Sequence, residues 1–379
     1  MMTSTSLELK RSFFSPAMDL ILVDQELPYD IFINSSLLQN KEKFIRIFKK
    51  GNILSEEEKK DFIKKYHQLY IAEDERGMYL NSLVKASNFP ESQKVEFIKD
   101  SAIKYLDNLF NPQKEFSTEL LTETISGCRD IVESMIDVVQ NQDIETLKDL
   151  IGQLSFHDFY TYDHSVNVSM YCITIYKTLR PNAARLELTH AGLGGLLHDL
   201  GKIKIPTHVL NNAGKLSDEE FGMIKKHPVF GKDLLEEHNC SLPEDINLHV
   251  ISRIINEHHE NVDGTGYPNN LEGGEIHLLA KITAIADFFD AITTKRSYSN
   301  ALTVNEALAL MKKSVGKKID EGLFQVFVKH LNKKVPNKSY LDVDDDFDPS
   351  RPYDKLPVKH TQKLDTSSEK SYGTIIKKK

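Results

Sequence analysis

The stretch GLGGLLHDLGKIKIP, residues 192–206, places a histidine and an aspartate, His198 and Asp199, at the end of an apolar helix that Gly201 stops. Neighbouring residues on a helix point about 100° apart, so this pair cannot chelate one cation as an i, i+4 pair would. It can grasp a cation from the helix's C-terminal turn, with Asp199 free to bridge to a second. Gly192, Gly194 and Gly195 cost helix propensity, which suggests close approach of another helix or of a ligand. The dipeptide alone is weak. It recurs at His157-Asp158, where a helix start with Asp158 as cap is the better reading.

Working outward, eleven of the 14 histidines lie between His157 and His277, about a third of the chain. Histidine and carboxylate without cysteine is a ligand set for iron, manganese, zinc or nickel, in sites of catalytic type. His164 sits in YTYDHSVNV, on a helix expected from Phe159 to Leu179; taken singly it reads as a core histidine. His227 stands in IKKHPVFG, where one helix stops and another starts, and singly reads as a surface residue. His258 and His259 close LHVISRIINEHH and lead into the glycine turn ENVDGTGYP, which can bring Tyr267 back toward them. Asp287 lies on the apolar helix LLAKITAIADFFDAITT, where a core-facing carboxylate calls for a cation; Asp290, at i+3, shares that face in a supporting role.

The rest of the chain divides around this block. Residues 1–88 read as a small α/β module: two short strands around Leu27-Pro28 within Asp19–Asn34, a capping box at Ser55 and Glu58, a helix, and strand-like LYIAED. It has no glycine-rich phosphate loop and no ligand cluster, and reads as a sensory or docking unit. Residues 89–153 carry apolar positions every three to four residues, giving a helical connector that either packs within the chain or pairs two chains. Residues 154–334 form an all-α domain. Residues 335–379 hold four of the 13 prolines and an acidic run, and are expected to be a disordered tail.

Over Phe156 to Leu331 the ordered motifs HSVNV, HDLGKI, KKHP, HHENVDGTGYP and AIADFFDAITTKRSY resemble the HD-GYP branch of the HD phosphohydrolase superfamily. The resemblance implies an all-helical domain that holds two or three metals, usually iron or manganese, and hydrolyses cyclic di-GMP to pGpG and in some members to GMP. Carried over by motif, the metal ligands would be His164, His198, Asp199, His227, His258, His259 and Asp287. A pair of cations about 3.5 to 4 Å apart lowers the pKa of a shared water and binds a phosphate oxygen, so no protein nucleophile is needed. Lys202 is expected to neutralise charge on the phosphoryl oxygens, Arg296 to clamp a phosphate, and Tyr267 to contact the ligand.

Two departures shape the expectation. Members with three metals resemble one another in a glutamate four residues before the first histidine; here Tyr160 stands there, so a binuclear centre is expected. Tyr298 is followed by Ser299 where many members have a second basic residue, which removes one phosphate contact. The expected activity is a metal-dependent cyclic di-GMP phosphodiesterase. The alternatives are a receptor or adaptor acting by protein contacts, and a hydrolase of another nucleotide. A homodimer and signalling proteins are the further partners considered.

Composition excludes several other classes. Hydrophobic residues at 40% and charged residues at 27% are ordinary globular usage, against collagen-like or wholly disordered chains. A net charge of −8 argues against a DNA-binding protein. Three scattered cysteines argue for a reducing compartment. With no signal-like segment and no long apolar run, a cytoplasmic protein without a membrane span is expected.

Overall fold

The computed structural model describes residues 12–36, 43–111, 116–139, 146, 160–210, 212, 216–237, 245–294, 302–331, 341–343 and 358–360. Strands β1 (Phe13–Phe14), β2 (Ile31–Asn34), β3 (Phe44–Phe48) and β4 (Ile71–Ala72) and helices α1 (Glu56–Lys65) and α2 (Arg76–Lys85) come first. β1 pairs with β4 and β2 with β3, both antiparallel, around a small core of Ile21, Leu27, Tyr29, Ile31, Leu54, Leu69 and Ile71. The expected hairpin across Leu27-Pro28 does not form. Asp24 adopts φ 57°, and the backbone amides of Asp24 and Leu27 donate instead to Leu54 and Asn52. The first half therefore runs as irregular chain, and β2 takes β3 as its partner. Only Ile71–Ala72 of LYIAED is strand, because residues 73–75 turn into a 3-10 helix. The capping box is present: Glu58 N donates to Ser55 Oγ at 3.2 Å and Ser55 N to Glu58 Oε2 at 2.9 Å.

Two long helices follow, α3 (Glu91–Phe110) and α4 (Thr118–Val139), and then the histidine-bearing helices. These are α5 (Tyr160–Leu179), α6 (Arg185–Leu197), α7 (Thr207–Leu210), α8 (Asp218–Ile224), α9 (His227–Glu237), α10 (Leu248–Glu257), α11 (Leu278–Thr293), α12 (Val304–Met311) and α13 (Glu321–His330). A single apolar cluster runs from Leu80 of α2 through Val95, Ile98, Ile125 and Ile131 to Ile173, Leu196, Ile254, Ile285 and Phe327. α3 and α4 thus pack within the chain. Each buried Leu or Ile contributes on the order of 2 kcal/mol, so this shared core ties them firmly to α5 and α6. In the expected tail, β5 (Leu341–Val343) and β6 (Val358–His360) pair antiparallel. The rest of residues 332–379 lies outside the described residues, as do His157-Asp158 and Cys240.

Burial of α11 explains why it sits at the centre. It is apolar around most of its circumference, with Leu279, Ile282, Ile285, Phe289 and Ile292 all buried, as expected of a helix enclosed by others. α10 is instead amphipathic, burying Ile251, Ile254 and Ile255 along one stripe. Gly195 permits the tight α5–α6 crossing, since a Cβ there would meet the Ser169 backbone at 3.0 Å. Among the described residues no helix is long and apolar enough to cross a membrane.

Candidate metal centre

Three helix ends converge on one buried point. α6 ends at Leu197 and hands over to His198 and Asp199; α9 begins at His227; α10 ends at Glu257 and hands over to His258 and His259. α5 and α11 supply His164 and Asp287 from their sides. All seven side chains are buried. They form three overlapping groups: His227, His258 and His259; His164, His198 and Asp287; and His198, Asp199 and His258. Within each group the ligand atoms lie within 4.8 Å of one another. Asp199 faces both His198 and His227, with N···O separations of 3.3 Å to each.

Backbone carbonyls fix the tautomers. The Nδ1 atoms of His198, His227 and His258 each lie 2.8 Å from a carbonyl oxygen one turn back, of Gly195, Ile224 and Ile255. A carbonyl only accepts, so each Nδ1 carries the proton and donates. Burial, helped by Lys202 for His227 and by His198 for His258, lowers their pKa values to about 3 and about 4. Both rings are therefore neutral at pH 7 with a lone pair on Nε2. Those two Nε2 atoms face each other at 3.2 Å. Lone pairs so placed repel unless a cation lies between or beside them, and Asp199 Oδ1, buried without a hydrogen-bond donor, points into the same space. The donor set of imidazole and carboxylate suits a divalent transition metal.

His164 is held differently. Its Nε2 is 3.0 Å from Asp287 Oδ1 and its Nδ1 is 2.8 Å from Asp290 Oδ2. Burial opposes its charge, but the two carboxylates outweigh burial and raise its pKa to about 9. A cation taking Nε2 must displace that proton. Asp290, considered from sequence only as a supporting group, is completely buried and also accepts from Asn167 Nδ2 at 3.0 Å and Thr294 Oγ1 at 2.7 Å. Asn167 went unnoticed in the sequence. Its spacing of three from His164 on one helix is the signal that could have found it.

Metal-free protein should be most stable near pH 6.5. Below that pH the unfolded chain binds protons that folded His227 and His258 refuse, so stability falls as pH drops toward 4. Above it, the extra proton on folded His164 is lost as pH rises through about 9, and stability falls again. Each group contributes a slope of at most about 1.4 kcal/mol per pH unit. Thermal melts of chelator-treated protein between pH 4 and 9.5 check this; a melting temperature still rising from pH 6.5 to 9 would contradict it.

The glycine turn closes the site. Glu260, buried, accepts from the Asn269 amide at 2.6 Å and the Leu271 amide at 3.0 Å, and the Tyr267 amide donates to His259 O at 3.1 Å. Tyr267 consequently stacks on His259, ring centroids 4.9 Å apart, with Lys225 Nζ 5.4 Å from the centroid of the tyrosine ring. Glu260 and Lys225 were missed in the sequence, because nothing local marks a side chain that braces a turn eight or more residues away. Lys202 places its Nζ 2.6 Å from Asp199 Oδ2, so in this structure it neutralises that carboxylate. Tyr160 opens α5, its side chain outside the described residues; Arg296, Tyr298 and Ser299 also lie outside them.

Residues 147–323 match the family described as the HD domain. Over this segment, somewhat under half of the chain, the protein resembles HD-GYP proteins. It is similar to a cyclic di-GMP phosphodiesterase of Pseudomonas aeruginosa, 40% identical over 180 residues that cover 47% of this chain and 41% of that protein. It is also similar to the 3'3'-cGAMP-specific phosphodiesterase 3 of Vibrio cholerae, 33% identical over 174 residues, 46% of this chain and 36% of the other. The chain thus spans about two fifths of the length of these curated relatives. A solved HD-GYP protein of Bdellovibrio bacteriovorus, 21% identical, superposes with a TM-score of 0.51 over 85% of this chain and 100% of its own, which shows a shared fold. The buried histidine cluster lies in the HD-matched segment.

Proposed function

We propose that this protein is a metal-dependent phosphodiesterase that hydrolyses cyclic di-GMP to pGpG and onward to GMP. The observation that carries the metal half is the opposed pair of Nε2 atoms of His227 and His258 at 3.2 Å, each fixed as a lone-pair donor by its carbonyl. The substrate half rests on the likeness to the Pseudomonas aeruginosa phosphodiesterase. His227, His258 and His259 would hold one cation, His164, His198 and Asp287 another, with Asp199 between them. When bound, a pair of divalent cations, iron or manganese by the chemistry of the donors, makes a water acidic enough to attack phosphorus at neutral pH and withdraws charge from the phosphodiester.

The chain's own residues then do the following. The Gly195, Ile224 and Ile255 carbonyls orient three imidazoles, and burial keeps the Nε2 atoms of His227 and His258 unprotonated. Lys202 balances the Asp199 carboxylate, held well below the usual carboxylate range despite burial because His198 and Lys202 flank it. Tyr267, half-buried above His259, gives the ligand an aromatic wall, and Arg296 is the candidate clamp for a phosphate. Residues 1–88 are read as a regulatory module and residues 89–153 as its connector to an HD-GYP domain over 154–334, acting in the cytoplasm as a monomer or homodimer with signalling partners.

A second reading is favoured by the Vibrio cholerae relative, namely hydrolysis of a mixed guanine–adenine cyclic dinucleotide. Protein purified without oxygen and loaded with iron or manganese should release pGpG and GMP from cyclic di-GMP, followed by chromatography, with close to two metals per chain. Faster turnover of 3'3'-cGAMP would shift the substrate. Metal and dinucleotide binding without product would establish the receptor instead, and a third tightly held metal would refute the role given to Tyr160.

A further inference from the structure

α3 sends one charged side chain into the apolar core. Lys99 is 0% exposed, and its Nζ lies 3.3 Å from Oδ1 of Asp163 on α5, itself 3% exposed. The flanking α3 positions Val95, Ile98, Ala102 and Leu106 are apolar and buried, so the ammonium enters an otherwise hydrocarbon interface. Packing gives no reason for it. A buried ion pair replaced as a pair by apolar residues of similar volume is often as stable or more so, while packing alone tolerates small rotations and slides between two helices. What the charge pair adds is a single preferred register, because a buried ammonium displaced from its carboxylate has no water to turn to.

That register matters at the next residue. His164 directly follows Asp163 and reaches across to Asp287 and Asp290 on α11, while Asn167, one turn on, donates to Asp290. Asn167 Oδ1 is buried without a hydrogen-bond donor among the described residues, while Ser169, further along α5, donates to Gly192 O of α6 at 2.7 Å. His164 belongs to one ligand group, with His198 and Asp287, and not to the group of His227, His258 and His259 on α9 and the end of α10. α3 in turn packs on α2, whose Tyr79 and Leu83 lie in the small N-terminal core and whose Leu80 and Val84 lie in the large one.

We propose that Lys99 is a positioning residue: its ion pair with Asp163 holds α5 in the register in which His164 serves one of two cation positions. The N-terminal half of the chain thereby acts on occupancy of that position alone. The inference rests on the metal ligands assigned above and does not require cyclic di-GMP to be the substrate.

The test is manganese binding by full-length protein, followed by electron paramagnetic resonance of free Mn2+, together with thermal melting. The paired variant Lys99→Met/Asp163→Leu is expected to melt close to the parent. It should bind one Mn2+ as the parent does and the second at least about tenfold more weakly, the cost typical of disturbing a group that orients a metal ligand. Turnover of the loaded protein should fall in kcat, with KM little changed. A paired variant that binds both ions like the parent overturns the proposal, as does equal weakening of both. If the pair does not fold, Lys99→Gln, which keeps a donor for Asp163, should still weaken one ion selectively; weakening of both or neither overturns it. Parent protein that binds two ions but hydrolyses no cyclic dinucleotide sinks the phosphodiesterase reading and leaves this one standing, whereas parent protein that binds fewer than two overturns the inference.

Discussion

Replacing Asp199 with asparagine is expected to cut phosphodiester turnover by about a thousandfold or more, the scale seen when a unit of cooperating catalytic groups loses one member. Asp199 is the one carboxylate in the group with His198 and His258, and its two oxygens are divided between Lys202 at 2.6 Å and His227 at 3.3 Å. Asparagine keeps the volume and one oxygen, so the fold should persist. The negative charge goes, leaving the Lys202 ammonium without its counterion beside a cluster of imidazoles. Two cations sharing such a site would repel more strongly and bind less tightly. Metal counting and chromatography of products on the purified variant check both halves. Full hydrolysis with two bound metals would falsify the bridging role.

Gly201→Ala should be nearly as damaging, through packing and not through chemistry. A Cβ at this position would lie 1.9 Å from His227 O and 2.4 Å from the Gly231 amide nitrogen. Both are backbone atoms of α9, so no side chain can swing aside, and the whole start of α9 must retreat from the His198-Asp199 turn. Overpacking of this kind costs about 1–3 kcal/mol or more, which would lower the melting temperature by roughly 5–10 °C. His227 moves with α9, so the cation held with His258 and His259 should be lost first. Melting curves and metal content are the measurements. A variant that melts like the parent with full metal content would show that α9 has slack the close contact does not suggest.

The His198-Asp199 motif and the glycine two positions after it therefore act as one device: the candidate ligands and the residue that lets two backbones touch are within four positions of each other. Much of the candidate site was legible for this reason. His164 and Asp287 stand in short ordered motifs within helices, and His198, Asp199, His227, His258 and His259 in motifs at helix ends, where chain reversal is marked by Gly201, Pro228 and the 264–268 turn. The N-terminal half was less readable. Periodicity located α3 and α4 but not their neighbours, and the β-rich opening suggested a hairpin that Asp24 and Pro28 do not make. A strand's partner depends on contacts distant in sequence, and β2 finds its own beyond residue 43.

Sequence alone pointed to the kind of chemistry, because imidazole and carboxylate crowd into one segment, and it determined the helical class, because the apolar spacing near three and four persists across that segment. Tertiary structure alone decided which atoms are available for that chemistry. Carbonyls of Gly195, Ile224 and Ile255 select the nitrogen that each imidazole presents, Asp290 competes for His164, and Lys202 pairs with Asp199. The burial of Lys99 against Asp163 is equally a matter of three dimensions, since a lysine on a helix reads as solvated until another helix is found to cover it. The physical reason is common to all of these: residue type and spacing specify what a side chain can do, while the proton it carries and the partner it meets are set by groups brought near only when the chain is packed.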